Sequence, residues 1–215
     1  MTDETRETEV LLGRAAAGDA PALAELFERH RSRLEQMIRL RLDRRLQGRL
    51  DPADVLQEAY LEFARRFAEY AAHPTLPFYL WLRLLTGQKL AALHRHHLGA
   101  KMRNAGLEVS LHHGDLPRAS SASLAELLLG RHTSPSRAAI RAETQFRVQE
   151  ALNSMDEVDR EILVLRHFEM LSNEETAQVL GLKRQAASNR HARALRRLKE
   201  IMAQVPGFAD SPSSP

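Results

Sequence analysis

SNEETAQVLGLKRQAASNRHARALRRLK, residues 172–199, holds two helical periods separated by one glycine. Ser172 is placed to cap the first helix, and Glu175, three residues on, completes a capping box. Ala177, Val179 and Leu180 supply its apolar face. Gly181 supplies the permissive backbone at which a helix can stop and the chain turn, and Leu182 anchors the turn. In the second period Ala187, Ala194, Leu195 and Leu198 are spaced to meet a core, which leaves Arg184, Gln185, Ser188, Asn189, Arg193 and Arg196 on the outer surface. Ala186 and Ala187 keep its leading end slim. This is the layout of a helix-turn-helix.

A helix can lie in the major groove only if its outward face is polar and its charge suits the phosphates. Lys183, Arg184, Arg190, Arg193, Arg196, Arg197 and Lys199 are basic, and no carboxylate stands between Glu175 and Glu200. The competing reading is an ordinary helical hairpin with a solvated basic face. The cap, the glycine turn and the one-sided charge together favour nucleic acid. A second carboxylate-free window, residues 70–107, holds Arg83, Lys89, Arg95, Lys101, Arg103 and four histidines. Two separated basic windows imply two separated contacts with a polyanion. Only Lys89, Lys101, Lys183 and Lys199 among the 31 basic residues are lysine, so arginine, suited to bidentate phosphate and base contacts, carries most of the charge.

Composition sets the class. With 215 residues, 43% hydrophobic and 27% charged, the chain can bury one or two small cores. Its formal net charge is +3 and its isoelectric point near 9.6. There is no apolar run of membrane-spanning length, and the leading MTDETRETEV is acidic and polar where a secretory signal is basic and then apolar. A cytoplasmic protein without a membrane partner is expected. The absence of cysteine excludes disulfides and thiolate chemistry.

In chain order, helices are expected over residues 7–17, closed by Gly18, and 19–46, opened by Asp19 and Pro21. A third, opened by Asp51 and Pro52, runs to about residue 68 on Val55, Leu56, Ala59, Phe63 and Phe67. Its early turns gather Asp54, Gln57, Glu58 and Glu62; such a face is either solvated, with Asp54 favouring the helix dipole, or docks a basic partner. A connection at residues 70–76 leads into PFYLWLRLLTGQKLAALHRHH, with an apolar stripe of Phe78, Trp81, Leu82, Leu85, Leu90 and Leu93, while Arg83, Gln88, Lys89 and Arg95 point elsewhere. Trp81 reads as core. Periodicity fails over residues 99–134, a flexible linker with room for one short helix near residues 124–129.

A second helical domain is expected over residues 135–203, its first helix resting on Ile140, Phe146, Val148 and Leu152. A capping box of Ser154 and Glu157 would open the next, which buries Val158, Ile162, Leu163, Leu165 and Phe168. Residues 204–215 read as a disordered tail. The fold class is all-α, two small helical domains joined by a linker. No catalytic constellation, metal site or cofactor is expected: His94, His96 and His97, or His112, His113 and Asp115, lack a convergent ligand set.

This order of features resembles the extracytoplasmic-function group of sigma-70 family sigma factors, over roughly residues 11–98 and 134–202. DPADVLQEAYLEFAR (51–65) is similar to the region 2 helix that docks on the polymerase clamp, which assigns Asp54, Gln57 and Glu58 to core polymerase binding. FYLWLRLLTGQKLAAL (78–93) resembles the helix facing the −10 element, which assigns Arg83, Gln88, Lys89 and Arg95 to DNA. The loop before it captures an unstacked base in the family, which points to residues 70–76. LNSMDEVDREILVLRHFEMLSNEETAQVLGL (152–182) resembles region 4, whose recognition helix reads the −35 element; this assigns Lys183, Arg184, Gln185, Ser188, Asn189, Arg190, Arg193 and Arg196. Ala186, Ala187 and His191 depart from the family's usual Thr, Val and Leu-like residues.

The resemblance implies domains at 7–98 (region 2) and 135–203 (region 4). Its partners are core RNA polymerase through the clamp and flap, promoter DNA and an anti-sigma factor, and its linker enters the active-site channel. The implied function is an alternative sigma factor directing promoter recognition and transcription initiation. The alternative is a stand-alone helix-turn-helix regulator whose first domain senses a ligand or partner.

Overall fold

The computed structural model describes residues 3–46, 48–98, 117–129 and 138–205. The chain divides into two compact units, Met1–Pro117 and Arg118–Pro215. Among the described residues there are α-helices and short turns but no strand.

In the first unit α1 (Asp3–Ala16), α2 (Ala20–Arg41), a 3-10 turn (Arg44–Leu46), α3 (Pro52–Ala72) and α4 (Phe78–Leu98) follow in order. Each of α1, α2 and α4 packs on α3 or α2. Asp19 caps α2 by accepting from Ala22 N, and Asp51 caps α3. The core joins Leu26, Phe27, Leu34, Met37 and Ile38 of α2 to Val55, Leu56, Ala59, Phe63 and Phe67 of α3 and to Trp81, Leu82, Leu85 and Leu90 of α4. Phe63 meets Phe27, Phe67, Phe78 and Trp81, and edge-on or tilted ring pairs of this kind add to simple burial.

Three boundaries differ from expectation, the first being that of α1, which begins at Asp3 rather than near residue 7. α3 continues to Ala72 because Tyr70 lies on its core face, stacked on Trp81 at 4.2 Å with its hydroxyl donating to Leu76 O. Tyr70 is therefore a core residue, and the connection shortens to residues 73–77. α2 ends at Arg41 rather than near Leu46, where Asp43 accepts from the Arg45 backbone N–H and guanidinium and so favours a turn over another helical one.

The second unit contains α5 (Ser121–Leu129), α6 (Ala138–Asn153), α7 (Glu157–His167), α8 (Asn173–Leu180) and α9 (Arg184–Ala203). α5, which lies within the stretch read as linker, packs against α6. Leu124 and Ala125 are buried, Ala119 N donates to Glu161 Oε2, and Arg118 pairs with Glu157, so residues 118–129 belong to this unit. α6 buries Val148 and Leu152, one turn apart, whereas Phe146 falls on the opposite side and is 62% exposed, contrary to its expected core role. α7 is capped by Asp156, which accepts from Val158 N and Asp159 N; Ser154 instead donates to Ala151 O, so the expected Ser154–Glu157 box does not form. Residues 99–116, with Lys101, Arg103, His112, His113 and Asp115, lie outside the described residues, as do residues 206–215 and the Ile140 side chain.

Candidate nucleic-acid interface

The helix-turn-helix begins at a reciprocal cap. Ser172 Oγ accepts from Glu175 N at 3.1 Å and Glu175 Oε2 accepts from Ser172 N at 2.7 Å, a device that contributes about 1 kcal/mol. At the other end of α8, Gly181 is left-handed (φ 63°, ψ 29°), the Leu182 N–H reaches Ala177 O at 2.9 Å and the Gly181 N–H reaches Gln178 O at 3.3 Å. This is a Schellman turn, which satisfies the last carbonyls of α8 and swings the chain into α9. Asn173 Nδ2 donates to Arg184 O at 3.0 Å and ties the starts of the two helices together.

α9 seats Ala187, Ala194 and Ile201 in the core, with Leu198 half-buried. Ala187 therefore acts in packing rather than in slimming the leading end, and Leu195, expected to face the core, is 38% exposed. The opposite stripe, at i, i+4, i+7 and i+11, is Gln185, Asn189, Ala192 and Arg196, all exposed, with Ser188 beside it. Gln185 Nε2 donates to Asn189 Oδ1 at 3.0 Å. The N-cap of α9 is Lys183, which provides no side-chain acceptor for the first-turn N–H groups.

The eight residues expected on this face divide into two groups. Lys183, Arg184, Gln185, Ser188, Asn189 and Arg196 are exposed, and the Lys183, Arg184 and Arg196 side chains have no partner among the described residues. Arg190 and Arg193 lie on the flank and pair with α7, Arg190 half-buried and Arg193 still 55% exposed. Arg193 forms a fork with Asp159 (Nε to Oδ2 2.5 Å, Nη2 to Oδ1 2.9 Å), and Arg190 Nη1 donates to Asp159 Oδ1 at 2.7 Å and Asp156 Oδ1 at 3.0 Å. The bond to Asp159 raises the Arg193 pKa. In this arrangement a buried carboxylate pairs with both, so an outward contact by either competes with Asp159. Asp159 itself escaped the sequence reading; its i, i+3 spacing from Asp156 at the start of α7 was the available signal. Nearby, the His167 and His191 rings stack at 5.0 Å with their Nε2 atoms 2.8 Å apart, and partial burial lowers both pKa values.

The described part of the second basic window, residues 70–98, is less open than its charge implies. Arg83 is only 4% exposed and so does not present its guanidinium to a polyanion, because α4 is buried on nearly every side up to Ala91 rather than along one stripe. Gln88 and Lys89 are half-buried, and Arg95 is exposed near the end of α4 beside His96 and His97. Lys89 Nζ lies 3.8 Å from Glu58 Oε2 and 3.6 Å from Glu62 Oε2 on α3. His94 is buried and accepts from Asp43 N at 3.4 Å, which gives it a packing role.

On α3, Asp54, Gln57 and Glu58 are all exposed along the early turns, with Leu61 on the same side. Asp54 also closes the α3 capping box by accepting from Asp51 N at 3.2 Å. Arg65 holds the Glu62 carboxyl below its ordinary pKa. No group of three or more His, Cys, Asp or Glu among the described residues is disposed to hold a metal ion. Among the described residues no helix is long and apolar enough to cross a membrane.

Residues 145–198 match the family described as Sigma-70, region 4. The chain is 29% identical over 209 residues to the ECF RNA polymerase sigma factor SigD of Mycobacterium tuberculosis (strain ATCC 25618 / H37Rv), covering 97% of this chain and 90% of that one. It is also 29% identical over 204 residues to the ECF RNA polymerase sigma factor ShbA of Streptomyces griseus, covering 94% and 98%. The fold is shared with CnrH, solved in complex with the cytosolic domain of CnrY, at a TM-score of 0.54 and 24% identity over 95% of this chain and 99% of that one. The region 4 match falls on the helix-turn-helix built by α8 and α9, and the similarity to ECF RNA polymerase sigma factors runs nearly end to end.

Proposed function

We propose that the outer stripe of α9 reads the −35 element while α3 docks on core RNA polymerase. The observation that carries the DNA assignment is the exposed set Gln185, Ser188, Asn189 and Arg196, led by Lys183 and Arg184 at a helix start with no side-chain cap. Phosphates suit the uncapped N–H groups and the two leading cations, and side-chain amides and guanidinium suit base edges in the major groove. Arg190 and Arg193 are left out of this contact set. Asp54, Gln57 and Glu58 form the acidic and amide face that meets a basic surface of the polymerase clamp, and region 4 meets the flap. Of the α4 residues, Arg95, with Gln88 and Lys89, remains for the −10 element, and residues 73–77 form the shortened connection beside it. The region 2 and region 4 functions thus fall on the two units, residues 99–116 connect them, and an anti-sigma factor is a further partner. The protein works by binding rather than catalysis, in the cytoplasm.

The test is transcription by core polymerase with this protein from templates carrying a randomised upstream element. Asn189→Ala is expected to relax preference at one or two adjacent positions, a loss of about 1–3 kcal/mol of discrimination. Arg196→Ala is expected to change either that preference or, through a phosphate, the salt slope by about 0.9. Unchanged preference and slope in both variants would remove the outer stripe from the contact.

A further inference from the structure

The recognition helix of a helix-turn-helix must be basic enough to approach DNA, yet each cation free to find any phosphate adds affinity for every sequence alike. α9 carries its charge unevenly. Asp159, on the first turn of α7 and 4% exposed, accepts three of the cluster's four guanidinium hydrogen bonds, from two arginines one turn apart on α9. The remaining contact of the cluster is from Arg190 to Asp156, the residue that caps α7. One buried carboxylate therefore bridges the helix that packs behind the motif to the flank of the helix that faces outward. The fork with Arg193 fixes both the rotation of α9 about its axis and its position along α7, since two parallel N–H to oxygen bonds tolerate little twist.

We propose that Asp159 is a positioning residue for promoter readout: by holding Arg190 and Arg193 against α7 it sets the pose of α9 and withholds both guanidinium groups from the phosphates. The proposal rests on the reading of α9 as the DNA-reading helix. Sequence discrimination then comes from Gln185, Ser188, Asn189 and Arg196 held at one angle, while non-specific affinity is kept low by internal neutralisation. A pair of this kind that served stability alone would leave the charge available to DNA unchanged once the fold was intact.

The experiment compares the wild-type chain and Asp159→Asn, both in complex with core polymerase, on a promoter fragment and on a random-sequence duplex of equal length across a salt series. Asp159→Asn keeps the shape of the side chain but removes the charge that holds the arginines. Its affinity for the random duplex is expected to rise and its log-log salt slope to steepen by about 0.9 for each arginine released, up to about 1.8 for both. The ratio of promoter to random affinity is expected to fall about tenfold. Arg193→Ala is the second variant: it should lower the same ratio while leaving the salt slope of the wild type. A slope made shallower by about 0.9 in Arg193→Ala would show that Arg193 contacts a phosphate directly and overturn the proposal. So would an unaltered slope and ratio in Asp159→Asn. If far-ultraviolet circular dichroism shows that Asp159→Asn has lost helix, Arg193→Ala decides alone. A wild-type complex with no preference for any promoter would instead refute the underlying reading of α9.

Discussion

Gly181→Ala isolates the conformational demand of the turn between α8 and α9. Gly181 sits at φ 63° and ψ 29°, and a Cβ built there meets no atom within 4 Å. The substitution therefore introduces no clash with a neighbour, and its cost is that of placing an L-residue in the left-handed region, about 1–2 kcal/mol. A folded state that kept the Schellman bonds would lose that amount of stability. For a cooperative unit of this size each kcal/mol lowers the melting temperature by about 4–8 °C. Gly13→Ala is the matched control. Gly13 also has open space around its Cβ position, but it lies inside α1 with ordinary helical backbone, so the same change should stabilise by about 1 kcal/mol. The only tryptophan, Trp81, sits in the core of the first unit, so its fluorescence follows that unit while far-ultraviolet circular dichroism follows both. Urea unfolding should show Gly181→Ala shifting only the dichroism component that fluorescence does not track, and Gly13→Ala shifting the fluorescence transition upward. A neutral or stabilising Gly181→Ala would refute the left-handed turn, and a loss above about 4 kcal/mol would refute the absence of steric cost.

Two further outcomes follow from the first unit. Glu58→Arg should weaken binding to core polymerase at least tenfold, measured by fluorescence anisotropy of labelled protein, without changing the unfolding free energy by more than about 0.5 kcal/mol. Asp54→Arg should lose affinity too, but also about 1 kcal/mol of stability because Asp54 closes the α3 capping box; equal stability in the two variants would contradict the box. His30, buried against the rings of Phe78 and Tyr79, has its pKa pushed down to about 4 by burial and by Arg33 and Arg29. A histidine depressed in the folded state contributes stability that is present above its unfolded pKa near 6.5 and is lost as the pH falls from there toward 4. His30→Phe should therefore flatten the decline in melting temperature between pH 6.5 and 4, and an unchanged pH profile would place that sensitivity elsewhere.

The sequence was most legible where local chemistry decides the backbone. Ser172 with Glu175, Asp19, Asp51 and Gly181 each announce a helix end by a device that needs no tertiary context, and all appear where expected. Misreadings arose where a distant partner decides. Tyr70 belongs to the core because Trp81 stacks against it, and Arg83 is enclosed because neighbours cover α4 on nearly every side. Phe146 shows the reverse error, an aromatic assumed to be core and left on the far side from Val148. Periodicity fixes which residues share a face but not how many faces neighbours cover. The same limit governs the candidate interface. The outer stripe of α9 was readable from spacing alone, whereas the capture of Arg190 and Arg193 depends on Asp159, more than thirty residues away in the chain.

The most direct test of the account is transcription from a genomic promoter library by purified core RNA polymerase, with and without this protein. The account predicts new transcripts only when the protein is present, sharing a two-part upstream motif, together with formation of a protein–core complex. High-affinity binding to a DNA operator by the protein alone, with no binding to core polymerase and no new transcripts, would contradict it and identify a stand-alone regulator.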